Sequence, residues 1–115
     1  MKVYGIPNCN TVKKALDWFK DHQIDIEFHN FKKSGIDVTK LEEWTLKVEW
    51  EALLNKRGTT WKMLDADYQK TIISKEAAFK LMQDKPSIIK RPVVETKSGS
   101  IILGFDEAQF ANLLK

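Results

Sequence analysis

A single cysteine, Cys9, stands in the stretch Tyr4-Gly5-Ile6-Pro7-Asn8-Cys9-Asn10-Thr11-Val12, between a short apolar run and a segment of helical periodicity. A helix start offers unpaired backbone amides and the positive end of the macrodipole, and both favour a thiolate over a thiol. The thiolate is the nucleophilic form, so this placement predicts a reactive, partly exposed sulfur. Asn8 and Asn10 flank it with polar groups, and Lys13, one turn further on, is positioned to add positive charge. The competing reading is inert, since a free cysteine commonly behaves as a small buried hydrophobe. The strand-to-helix loop tips the balance, because ligands of open α/β sheets bind at the carboxyl ends of strands. With no second cysteine an internal disulfide is impossible. Any adduct on Cys9 therefore has to be resolved by an external thiol, for which glutathione or a glutaredoxin is the expected partner.

Two arginines stand out against seventeen lysines. Lysine is the default cation of this chain, and the planar guanidinium fork of Arg57 or Arg91 suits two-point capture of a carboxylate or oxyanion. Arg57 lies in Asn55-Lys56-Arg57-Gly58, and Arg91 directly precedes Pro92 in Lys90-Arg91-Pro92-Val93-Val94. A surface ion pair is the alternative for each. His22 and His29 have no ligand-like spacing with Cys9, so no metal site is expected, and His29 is assigned to the polar face of a strand. There is no glycine-rich phosphate loop and no bound cofactor is expected.

The elements that must hold these residues follow from periodicity. Lys2–Ile6 reads as a buried strand ended by Gly5 and Pro7. Val12, Ala15, Leu16 and Phe19 make one helical stripe behind an Asn10 N-cap. Ile24, Ile26 and Phe28 alternate with polar residues as a half-buried strand. Such a βαβ unit should cross over right-handed with parallel strands. The middle of the chain is largely helical. Thr39-Lys40-Leu41-Glu42 has the pattern of a capping box, and Leu41, Trp44, Thr45 and Val48 continue that helix, with Glu51–Asn55 as an extension or a further turn. Arg57–Thr60 reads as a loop and Asp65–Ile72 as a weaker helix. Ser74 caps a helix stopped by Pro86. Val93–Glu95 and Ile101–Leu103 then flank the hairpin turn Lys97–Ser100. Asp106–Gln109 is a second capping box, flanked by Phe105 and Phe110 at the spacing of a hydrophobic staple. Order βαβ, helical insert, ββα predicts an α/β, thioredoxin-like four-stranded mixed sheet in one domain over 1–115, with the insert at about 37–86.

Bulk composition agrees with a folded catalytic or binding domain. The 115 residues, 43% hydrophobic and 30% charged, can bury a core without metal or disulfide. A net charge of +3, with lysines and acids interleaved, is a solvated surface rather than a nucleic-acid footprint, so no direct nucleic-acid partner is expected. No apolar run approaches a membrane span or a signal peptide, and with one unpaired cysteine the expected compartment is the cytoplasm.

The combination of "YGIPNCNTVKKALDW", "LLNKRGTTWKML" and "IIKRPVVE" resembles the glutathione/glutaredoxin-type arsenate reductases and the related Spx-like proteins over essentially the whole chain. The resemblance implies Cys9 as nucleophile, Arg57 and Arg91 as anion ligands, and a cis bond before Pro92. Two departures bear on activity. Arsenate-reducing members have a further arginine near the start of the fourth strand, where this chain has Ile101-Ile102-Leu103-Gly104-Phe105-Asp106. Spx-like regulators commonly carry a Cys-x-x-Cys switch, and the second position here is Val12. The pattern left is similar to a single-cysteine, reductase-like branch and implies a glutathione-dependent thiol reductase. True arsenate reduction and a non-enzymatic, RNA polymerase-binding regulator stand as the alternatives. For the regulator, Trp44, Trp50 and Trp61 of the insert would offer the partner surface, although tryptophans at such positions are more often core.

Overall fold

Four short strands form one sheet in the computed structural model, which describes all residues 1–115. Strand β1 is Lys2–Gly5, β2 Glu27–Asn30, β3 Val93–Glu95 and β4 Ile101–Leu103, in the spatial order β2-β1-β3-β4. The β1–β2 pair is parallel, with Val3 opposite Phe28, while β1–β3 and β3–β4 are antiparallel. This is the thioredoxin-like α/β arrangement that the element order predicts. Helix α1, Asn10–Asp21, makes the crossover between the parallel strands. After β2 a single turn, α2 (Phe31–Ser34), closes this half of the chain. The second strand is shorter than its alternating pattern. Ile24 and Ile26 precede β2 and pack as half-buried residues on the core without joining the ladder.

The chain divides into two compact units, Met1–Ser34 with Arg91–Lys115, and Gly35–Lys90. The first holds the sheet. Its core is Val3, Ala15, Phe19, Val94, Ile102 and Phe110, one residue or more from β1, α1, β3, β4 and the last helix. The opposite sheet face carries Tyr4, whose ring lies 4.9 Å from that of His29 and 6.2 Å from that of Phe31. His29 is therefore a half-buried aromatic neighbour and not a solvated residue of a polar strand face. On this face the rings of Tyr4 and Phe31 stand where the alternation places solvent.

The second unit is helical throughout: α3 Val38–Thr45, α4 Trp50–Leu53, α5 Thr59–Lys62, α6 Ala66–Gln69 and α7 Lys75–Asp84, followed by a 3₁₀ turn at Pro86–Ile88. Helices α3 and α4 both pack on α7. Trp44 is buried, while Trp50 and Trp61 are half-buried, so the three do not form one exposed surface. Two expectations change here. Asp37, not Thr39, precedes α3, and no side chain caps that helix. Of the two readings of Glu51–Asn55, the further turn is the one present, and it starts at Trp50. Thr59 and Thr60 open α5, with Gly58 as its cap, rather than continuing a loop.

Ser74 does cap α7, its hydroxyl accepting from the Ala77 amide at 3.2 Å. Ser74→Ala should lower stability by about 1 kcal/mol, the usual cost of losing a side-chain cap, read as a reduced denaturant midpoint at constant slope. At the other end of the chain, helix α8 is Glu107–Ala111, and the Asp106 carboxylate accepts from the amides of Ala108 and Gln109. The Gln109 side chain returns to the Asp106 carboxylate rather than to its backbone. Phe105 and Phe110 meet edge to face at 5.0 Å, the staple the sequence foretells.

Candidate functional site at the start of the first helix

Position of the sulfur is set by where α1 begins. Cys9 itself is the N-cap, with extended backbone (φ −99°, ψ 125°), and Asn10 is already the first helical residue. The expected cap thus moves one residue toward the amino end. Cys9 donates its amide to the Ile6 carbonyl at 3.2 Å, and its own carbonyl accepts from Lys13 at 2.9 Å. This fixes the loop at both ends. Cys9 thus holds the cap position by its backbone, with no side-chain cap hydrogen bond.

Close packing behind the loop depends on Gly5. A Cβ at that position would stand 2.8 Å from Val12 Cγ2 and 3.2 Å from Cγ1, so the first turn of α1 lies directly on the end of β1. Gly5→Ala must push that turn outward. The expected cost is about 1–3 kcal/mol, with slower Cys9 alkylation because the turn's amides move with it. A thermal melt beside an alkylation time course checks both.

The electrostatics at the sulfur have opposing parts. Burial pushes the thiol up, while hydrogen bonds from the Val12 amide, the Arg91 side chain and the Thr11 amide, with the Arg91 charge, pull it down. Donors win, and the thiol titrates below its ordinary value. Cys9 is free and half-exposed, so a reagent can reach it. Arg91 leads into β3 through a cis bond to Pro92, which is buried. Asn8, Asn10 and Lys13 are exposed, and none is among the groups acting on the thiol. Lys13 lies on the exposed face of the first turn, where solvent screens its charge. Two of the donors are backbone amides, that of Val12, the largest of the lowering causes, and that of Thr11. No side-chain reading singles them out, although any helix N-terminus supplies such groups.

Arg57 belongs to the helical unit. It is exposed and, with Leu54, Asn55, Lys56 and Lys90, lines a recess of about 450 Å³. Lys56 and Lys90 were not singled out by the sequence, where they are two of many lysines.

Residues 4–113 match the ArsC family. The chain belongs to the ArsC family. An uncharacterized protein of Haemophilus influenzae is 39% identical over 108 residues, spanning 94% of this chain and 93% of its own. A solved structure called the YFFB protein superposes with a TM-score of 0.91 at 38% identity, covering 99% of this chain and 98% of the other. The global transcriptional regulator Spx 2 of Lactococcus lactis is more distant, 25% identical over 97% of this chain and 84% of its own. This ArsC-family chain is thus similar both to arsenate reductase-like proteins and to Spx regulators. No helix in it is long and apolar enough to cross a membrane.

Proposed function

We propose that this ArsC-family protein is a thiol–disulfide oxidoreductase in which the Cys9 thiolate is the nucleophile and glutathione the resolving thiol. The observation that carries the reading is the set of donors on the sulfur, the Val12 and Thr11 amides and Arg91. They hold the anion that thiol exchange requires. The thiolate attacks one sulfur of a substrate disulfide, forming a mixed disulfide at Cys9 and expelling the other sulfur as a thiolate, which takes a proton from water. Glutathione thiolate then attacks Cys9 Sγ or its partner sulfur. When it attacks the partner sulfur, Cys9 leaves again as the thiolate already favoured by its surroundings. A second glutathione completes the two-electron balance, giving reduced substrate and oxidised glutathione. Arg91 stays beside the sulfur throughout and stabilises the leaving form.

Intact mass after incubation with oxidised glutathione tests the reading. One added glutathionyl group on Cys9, removed by excess reduced glutathione, is expected; a wild-type chain that stays unmodified while fully folded rejects it. Arsenate-dependent NADPH oxidation in a glutaredoxin-coupled assay separates this function from arsenate reduction. A doubly charged oxyanion wants several fixed donors, and the stretch Ile101–Phe105 supplies no cation. An RNA polymerase-binding role would rest on the helical unit, where burial of Trp44 removes one of the three tryptophans expected at its surface.

A further inference from the structure

The recess around Arg57 is built by two chain segments held in fixed register. Leu54 and Ile89 form an isolated antiparallel bridge. On either side of it the Asn55 amide donates to the Ile88 carbonyl at 2.8 Å, and the Lys90 amide to the Leu53 carbonyl at 2.7 Å. Asn55–Arg57 and Lys90 are thereby brought to one depression. The Lys56 ammonium sits over the Trp61 ring, 5.2 Å from its centroid. Gly58 completes the turn: a Cβ there would come within 2.7 Å of Asn55 Nδ2, so the amide side chain packs directly against the loop backbone. The lining thus holds three cations and an amide, and no carboxylate.

We infer that Lys56 and Lys90 extend Arg57 into a recess for a small anion bearing two separated carboxylates, in preference to a single tetrahedral oxyanion. The volume is in the range of small-molecule sites, and a lone oxyanion would fill only a corner of it. Cations contributed from two segments are matched by negative charges set apart on one ligand. The fork of Arg57 suits one carboxylate, and a lysine serves the other as a point charge. A tripeptide-sized dicarboxylate fits this description. The choice of that ligand rests on the glutathione reading above, whereas the recess itself does not.

The test uses S-methylglutathione, which has both carboxylates but no thiol, on the full-length Cys9→Ser chain, so that recognition is measured without exchange chemistry. Amide resonances of Asn55, Lys56, Arg57 and Lys90 should shift saturably. Inorganic phosphate and the diethyl ester of S-methylglutathione should bind at least about tenfold more weakly. Lys90→Ala and Lys56→Ala, both at exposed residues, should each weaken S-methylglutathione roughly tenfold, as expected for loss of a charge-assisted contact. Equal affinity for phosphate and the dicarboxylate, or no response at these four residues, overturns the inference. Wild-type protein that forms no glutathione adduct yet binds S-methylglutathione in the recess would remove the Cys9 reading and leave this one standing.

Discussion

Cys9→Ser should reduce glutathione-dependent turnover to background, and Arg91→Ala should slow alkylation of Cys9 at pH 7 on the order of tenfold. The two changes remove different things. Serine keeps the cap geometry, since its oxygen can accept the same amides, but a hydroxyl stays protonated at neutral pH and no base adjoins it to take the proton. Folding should therefore survive while the chemistry does not. Arg91→Ala leaves the sulfur and the Val12 and Thr11 amides in place, but withdraws a hydrogen bond and a positive charge. The thiol then titrates higher, and less thiolate exists at pH 7. Iodoacetamide rates followed from pH 5 to 10 report this directly: the rate profile of the variant should be displaced to higher pH, with a plateau equal to or modestly above the wild type's, because a more basic thiolate is the stronger nucleophile. A variant profile that coincides with the wild type would show that Arg91 does not act on the sulfur.

Linkage gives the same interaction a stability signature. A lowered thiol means the folded state holds fewer protons than the unfolded state between the folded and free-thiol values. The stabilisation is complete above the free-thiol value and is lost as pH falls through the folded one. Wild type should thus gain on Cys9→Ser as pH rises through that window, measured as the difference between their melting temperatures.

Phe110→Ala is expected to be the most damaging change outside the site, at about 3–5 kcal/mol. Phe110 is fully buried, and its ring lies 5.3 Å from Phe19, 5.2 Å from Trp18 and 5.0 Å from Phe105. Three aromatic neighbours cannot all collapse into the space a benzyl group leaves, so the cavity cost adds to the lost transfer energy. The same residue anchors α8 against α1, whose first turn carries the thiol. Chemical denaturation should show the midpoint falling sharply. Loss of less than about 1 kcal/mol would mean the cluster repacks freely.

Much of the fold was legible because strong local signals agreed with the global arrangement. The Val12-Ala15-Phe19 stripe, the Ser74 and Asp106 caps and the Lys97–Ser100 turn each specify an element, and each appears where its pattern puts it. Failures fell where the pattern is ambiguous. Ile24 and Ile26 alternate like a strand, but packing against the core accounts for them without ladder bonds. Thr39 had the residue types of a capping box, while Asp37, two residues earlier, already had the extended backbone that a cap requires.

Residue type and short-range spacing, both written in the chain, place a lone cysteine in a strand-to-helix loop and set two arginines apart from the lysines. Which cation reaches the sulfur depends on the folded arrangement. Lys13, four residues away, faces water, while Arg91, eighty-two residues away, donates to it, because β3 returns beside β1 and brings its preceding residue to the start of α1. Charge near a thiol is a matter of distance in space, and sheet pairing sets that distance where sequence separation cannot.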